Sequence, residues 1–430
     1  MSSLTASITD ERLSFGALAL LGLLKSAYGS APAPVVVGLS GQERGEILDL
    51  AGRHGVSPLL HRALQAGGLL DDIPAAALLR LNEERRATAL NNLGKYGEFR
   101  QIARALQARG IPCIALKGLH LAELVYRDIS LRPMSDMDIL VPHSQLGDAV
   151  TVLQAIGYGT GEDLSGAARD MLETSKCNLG LAHRRSGTWL EVHWTLSEPS
   201  ERYAGLLEDA WRSAVPARLG DVDAQVMSAE FLLLHVCLHL AWGHVFAFSL
   251  RGLCDIAEIV RVHPDLDWSV VVERARQHDL ARGVAAALRL AGDHLGVPLP
   301  AAALTALGAD ALDPDMLADA AEHLITCFDL PDELRMAPNI VAIAGDGPRM
   351  GRLALLWSRI FLSRAELALI YGVSERSVRI PLYYAFRLRD LVRRYAASAW
   401  ALNVTDSRLA LTAARHARLA RWVGRQRPPK

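Results

Sequence analysis

Two aspartates one residue apart, Asp136 and Asp138, stand in the stretch "LRPMSDMDILV", which otherwise patterns as a buried strand. Side chains at i and i+2 of a strand share a face, so both carboxylates point one way while Met137, Ile139 and Val141 take the other. Like charges on a half-buried surface repel and resist desolvation, and a cation beside them relieves both costs. The same alternation in "TWLEVHWTL" sends Leu190, Val192 and Trp194 to the core and Trp189, Glu191 and His193 to the opposite face. A third carboxylate therefore comes from a second strand. Three carboxylates on two neighbouring strands can hold two Mg²⁺ ions, hard cations that take oxygen ligands and keep waters exchangeable for phosphate oxygens. The matching chemistry is metal-assisted nucleotidyl transfer, which must align an attacking hydroxyl, a phosphorus and a leaving pyrophosphate.

Further polar residues flank this set. "ALKG" ends a strand with Lys117 and Gly118 at its turn: glycine lets backbone approach a phosphate, and lysine brings a point charge to it. The following "LHLAELVY" is expected to open a helix whose N-terminus favours an anion. Arg132 fits either a phosphate clamp or a strut to Asp128. Ser135 fits either a hydrogen bond near the metal or a turn cap. His193 is read equally as a hydrogen-bonding group of the site or as a structural neighbour of Trp194.

These residues need a sheet, and three strands are expected at "IPCIALKG", "DMDILVP" and "TWLEVHWTL". Between them "HSQLGDAVTVLQAIGYG" reads as a helix closed by Gly157, and "LSGAARDMLETSKC" as a helical or mixed piece. The fold class expected is α/β (α+β), a small mixed sheet in a core of residues 111–223. A helical segment, 1–110, precedes it, with Gly55 and Gly110 as helix stops. A helical region, 224–430, follows, so helix predominates overall. In that region Ser228 is the expected N-cap of a helix, Arg251 and Asp255 the expected intrahelical ion pair, and 329–352 the longest loop. The last residues, from Asp406, form a basic tail read as solvated.

At 430 residues with a net charge of −1, the chain has room for two or three domains and no overall bias toward a polyanion. Five scattered cysteines without a CxxC pair read as reduced thiols. The N-terminus lacks a basic leader, and the expected location is cytoplasmic. "FLLLHVCLHLAWGHVFAFSL" carries no formal charge over a membrane-spanning length, but its three histidines and central glycine favour a buried helical hairpin over a span. His235 and His239, four apart, are read as buried histidines with hydrogen-bond partners, facing the nucleotide cleft, rather than as a zinc pair. "RAELALIYGVSERSVRIPLYYAFRL" has a helix-turn-helix outline, but Pro381 inside its second helix argues against DNA reading.

The stretch "LKGLHLAELVYRDISLRPMSDMDILV" followed by "LEVHWTL" resembles the uncharacterised bacterial nucleotidyltransferase family within the polymerase-β-like superfamily. The resemblance is strongest from Ile111 to about Leu196. It implies Asp136 and Asp138 as metal ligands and Glu191 as the third carboxylate and acceptor-activating group. Leu119 stands where the superfamily carries a serine, and Lys117 is expected to supply the missing phosphate contact. The activity implied is Mg²⁺-dependent transfer of a nucleoside monophosphate from an NTP such as ATP to a hydroxyl or phosphate acceptor, a small molecule or peptide rather than a nucleic acid. A non-catalytic nucleotide-sensing module is the alternative, and a DNA-binding regulator a more distant one.

Overall fold

Ser40 opens a helix by a reciprocal capping box: its hydroxyl accepts from the Glu43 N–H, and the Glu43 carboxylate accepts from the Ser40 N–H. Such local signals recur along the chain. In the computed structural model, residues 12–28, 39–159, 177–197, 203–329, 377–389 and 407–424 are described. Helices dominate them: α1 (Phe15–Ser26), α2 (Gly41–Arg53), α3 (Ser57–Ala66) and α4 (Ala75–Gln107) precede the first strand. α5 (Lys117–His120), α6 (Leu146–Ala155) and α7 (Ala204–Arg212) interrupt the sheet, and α8 (Ala229–Leu238), α9 (Leu250–Val262), α10 (Trp268–Gln277), α11 (Ala281–Leu295), α12 (Ala301–Ala306), α13 (Pro314–Thr326) and α14 (Ser407–Trp422) follow it.

The strands are β1 (Ile114–Ala115), β2 (Met137–Leu140), β3 (Tyr158–Gly159), β4 (Asn178–His183), β5 (Trp189–His193), β6 (Val215–Leu219) and β7 (Val222–Val226). They form one seven-stranded mixed sheet in the order β3-β4-β5-β2-β1-β7-β6, in agreement with the expected α+β class. The three expected strands are its central neighbours. β2 runs parallel to β5, with Asp138 opposite Glu191 and Leu140 opposite His193, and antiparallel to β1. The remaining strands were not expected. β6 and β7 pair as a hairpin around Gly220 at the sheet edge, and their half-exposed residues leave no sharp apolar alternation to read. β7 also runs across the 223/224 boundary drawn from the sequence.

Each face of the sheet has its own core. Met137, Ile139, Val141, Leu190 and Val192 pack on Phe99, Ile102 and Leu106 of α4. This is the apolar face the alternation assigned. The opposite face, which carries Leu140 and the acidic residues, lies against a second core built from α1–α3 together with α8, α9 and α11. The acidic face is thus covered by helices that precede the sheet in the sequence and helices that follow it.

Several expectations on helical segments change. Ser228 is the N-cap residue of α8, as expected, and its carbonyl accepts from the Leu232 N–H at 2.8 Å, but its hydroxyl makes no capping bond and donates instead to Glu230 Oε2 at 2.9 Å. The uncharged run Phe231–Leu250 takes in all but the first two residues of α8, a π-turn at His239–Gly243 and the start of α9, and no described helix is long and apolar enough to cross a membrane. Pro381 falls in the first turn of a helical stretch at 380–389, where its missing N–H is no loss. The basic tail is not simply solvated: Arg418 on α14 pairs with Asp319 of α13 at 2.6 Å, and Arg415 with Glu322. The segment 164–176, the loop from 330 to 352 and the first part of the helix-turn-helix outline, 364–376, lie outside the described residues.

Candidate active site

The backbone brings Lys117 to Asp138. Leu116 N–H donates to the Asp138 carbonyl at 3.0 Å, and the next residue turns sharply, with Lys117 at φ +33°. A non-glycine residue in that region costs on the order of 1–2 kcal/mol. The turn delivers the ammonium 2.9 Å from Asp138 Oδ1. Gly118 follows because a Cβ there would lie 2.9 Å from the Met134 side chain. The close approach seen at Gly118 is therefore to protein, from the loop that carries the first aspartate.

That loop is held from α4, a connection the sequence did not reveal. Asn92 Nδ2 donates to the carbonyls of Ile129 and Arg132 at 2.6 and 2.8 Å, and Asn91 Nδ2 to the Met134 carbonyl at 2.9 Å. Lys95, one turn along, is buried, donates to Asn91 at 2.8 Å and feels the charge of Asp136. Asp136 itself lies just before β2, half-buried, and accepts from Ser135 Oγ at 3.0 Å. Burial, reinforced by the charges of Asp138 and Glu191, pushes its pKa up to about 6.

Asp138, Glu191 and His193 converge. Their ligand atoms all lie within 4.8 Å of one another, and each side chain is buried. His193 Nε2 is 2.9 Å from Asp138 Oδ1 and 3.3 Å from Glu191 Oε2, while Asn178 of β4 donates to Glu191 Oε2. Burial opposes ionisation of Asp138, but Lys117 and His193 outweigh it and hold the carboxyl well below its ordinary range. Burial likewise opposes charge on His193, and hydrogen bonds to its acidic neighbours raise its pKa well above the ordinary histidine value. Glu191 Oε1 is buried without a hydrogen-bond partner. Two carboxylates, one of them with an orphaned oxygen, and an imidazole that becomes a donor on giving up its proton form a set that a divalent cation fits. It is the one such group of three among the described residues, and it includes His193 in place of Asp136, which stands beside it.

Other sequence candidates lie elsewhere. Arg132 is spent on Asp255, with Nε to Oδ1 at 3.0 Å and Nη2 to Oδ2 at 2.9 Å. Asp128 is taken by Arg85 at 2.9 Å, so the expected Arg132–Asp128 strut is replaced by one to α9. The expected Arg251–Asp255 pair does not form either; Arg251 Nη1 donates to the Pro133 carbonyl at 3.0 Å. His235 and His239 stay outside the ligand group, and the hydrogen-bond partners expected for them fail at His235, whose two ring nitrogens are buried without one; the charges of Lys117 and His193 reach both histidines.

A family model described as "Uncharacterised nucleotidyltransferase" matches residues 40–296, more than half of the chain. The chain belongs to this family. No curated protein and no solved structure matches it. The nucleotidyltransferase match runs from α2 to the end of α11, so it takes in the whole sheet, the acidic group and, α1 excepted, the helices that cover it.

Proposed function

We propose that this protein is a metal-dependent nucleotidyltransferase of the polymerase-β-like superfamily, which moves a nucleoside monophosphate from an NTP to a hydroxyl or phosphate acceptor. The observation that carries this reading is the pairing of Asp138 with Glu191 across adjacent parallel strands, with His193 completing a buried donor set. Mg²⁺ held by Asp136, Asp138 and Glu191, with His193 alongside, would neutralise phosphate charge and align the α-phosphorus. The chain's own groups do the rest. Glu191 takes the proton of the acceptor hydroxyl; the freed oxygen bonds to the α-phosphorus, and the bond to pyrophosphate breaks. Lys117 carries a compact charge on a flexible stem, so its ammonium can leave Asp138 for a phosphate oxygen without backbone movement. Ser135 fixes the Asp136 carboxylate. Positioning and charge compensation supply the rate, with no covalent enzyme intermediate.

The test is Mg²⁺-dependent pyrophosphate release with each NTP and mixed hydroxyl acceptors. Asp138→Asn and Glu191→Gln are expected to lower the rate at least a hundredfold. Full activity in Asp138→Asn would overturn the assignment. Lys117, already paired with Asp138, is the observation that favours the nucleotide-sensing alternative, since the protein compensates this charge itself. Tight NTP binding by calorimetry with no turnover on any acceptor would select that alternative.

A further inference from the structure

The connection from α8 to α9 carries a feature that the acidic group does not use. After α8 the chain widens into the π-turn His239–Gly243 and then reverses through Val245 and Phe246, at φ +50° and +62°. A β-branched and a bulky aromatic residue both resist that conformation, and such strain persists where surrounding packing over-determines it. Here both side chains are fully buried. The reversal folds three rings onto one another. His244 stacks on Phe248 at 4.4 Å between centroids, and His239 meets their edges at 4.5 and 5.0 Å. The Arg251 guanidinium lies 5.4 Å over the Phe248 ring. Unlike the core around them, all four residues are half-buried.

Two observations aim this cluster at the acidic group. Arg251 is tied to the Pro133 carbonyl, in the loop that delivers Asp136, yet its Nε is buried without a partner and it makes no ion pair among the described residues. His235, one turn before His239 on α8, is 3% exposed with neither ring nitrogen hydrogen-bonded, and Lys117, His193 and Asp138 are the charges acting on it. A flat ligand with polar edges would satisfy such a surface: rings and a guanidinium stack on its faces, while unpartnered N–H groups meet its edge.

We propose that His239, His244, Phe248 and Arg251 seat the heteroaromatic base of the NTP, with the triphosphate directed toward Lys117 and the acidic group. The assignment rests on the nucleotidyl-transfer reading and adds to it where the base goes. Stacking is tolerant of base identity because every base has a π-face, so purines and pyrimidines are both accepted at some level. Discrimination falls to the edge contacts, for which Arg251 Nε and the His235 ring are available.

Calorimetry on the full chain with ATP, GTP, CTP, UTP and base-free tripolyphosphate, each with Mg²⁺, tests this. In Phe248→Leu and His244→Ala the tightest NTP is expected to bind roughly ten- to a hundredfold more weakly, while tripolyphosphate binding stays unchanged. His244→Phe, which keeps a ring, is expected to restore NTP affinity. The quenching of 2-aminopurine riboside triphosphate fluorescence by the wild type is expected to be lost in Phe248→Leu. Equal loss of NTP and tripolyphosphate affinity would overturn the proposal and leave these residues a structural role. Unchanged NTP affinity in both variants would overturn it while leaving nucleotidyl transfer intact. A wild-type protein that binds no NTP would remove both readings together.

Discussion

Lys117 holds an ion pair with Asp138 from a strained backbone, and both side chains are largely buried. Burial opposes its charge, but Asp138, Glu191 and Asp136 outweigh it and hold the ammonium's pKa above its ordinary value. The amine and a divalent cation therefore compete for the same oxygen. Lys117→Met keeps the bulk of the stem and removes the charge. Deleting one partner of a buried pair costs about 3–5 kcal/mol when nothing replaces it. His193 remains on Asp138 Oδ1, so the expected loss is smaller, roughly 1–3 kcal/mol. Thermal unfolding with and without Mg²⁺ checks the competition: the ion is expected to raise the variant's midpoint more than the wild type's. Equal shifts in the two proteins would show that ammonium and cation do not share the carboxylate. At this scale the shared face of Asp138, Glu191 and His193 was legible because strand alternation is strict and carboxylates on a half-buried face demand an explanation, whereas Asp136 falls just before β2, outside that alternation. Asn91, Asn92 and Lys95 were not. They sit on a helix whose surface pattern is ordinary, and their role comes from a loop about forty residues away in sequence.

Among the elements, α9 begins on the histidine that closes α2. Leu250 N–H donates to His54 Nδ1 at 3.2 Å, so the ring's proton is on Nε2, 3.1 Å from the Ile325 carbonyl. The neutral ring is required, and burial lowers its pKa to about 4, the Ile325 carbonyl opposing only part of the shift. An unfolded chain takes up this proton near pH 6.5 and the folded chain only near 4, so the contribution is complete above about 6.5 and lost as the pH falls toward 4. The loss is on the order of 3 kcal/mol. His120, with its pKa lowered to about 3 by burial and then by His263, acts in the same direction. Urea unfolding from pH 7.5 to 4.5 is expected to show a falling midpoint, and His54→Gln a lower midpoint at neutral pH with a shallower slope. A variant with the wild-type slope would remove His54 from the acid response. None of this was readable beforehand, since a histidine closing one helix and accepting from another looks like any histidine. What could be read of the elements were α6, the helical character of the described parts of 1–110 and 224–430, and the central strands. β4, an inner strand, and the β6–β7 hairpin at the sheet edge escaped because their alternation is weak and gives little signal.

Across the whole molecule, distant segments meet on the acidic face through a few buried carboxylates of the later helices. Asp319 of α13 gathers Arg12, Arg415 and Arg418, and Glu258 of α9 takes Arg62 of α3 and Arg261. Asp255, one turn before Glu258, takes Arg132 and the Tyr126 hydroxyl, the latter at 2.9 Å. The loop that ends in Asp136 is thus gripped from two layers, by Asn91 and Asn92 of α4 on one side and by Asp255 on the other. Such a grip matters because displacement of a catalytic group by about 1 Å can cost a hundredfold in rate. Asp255→Asn leaves Arg132 charged and buried without its counterion, an expected cost of about 3 kcal/mol or more. Glu258→Gln makes a comparable lesion one turn along the same helix, but at a residue that grips α3 and not the loop. Both variants are expected to unfold at lower temperature. Pyrophosphate release measured well below either midpoint is expected to fall more than tenfold in Asp255→Asn and to stay near wild type in Glu258→Gln. If the two lose activity together, general loosening and not the position of Asp136 would be what this network controls.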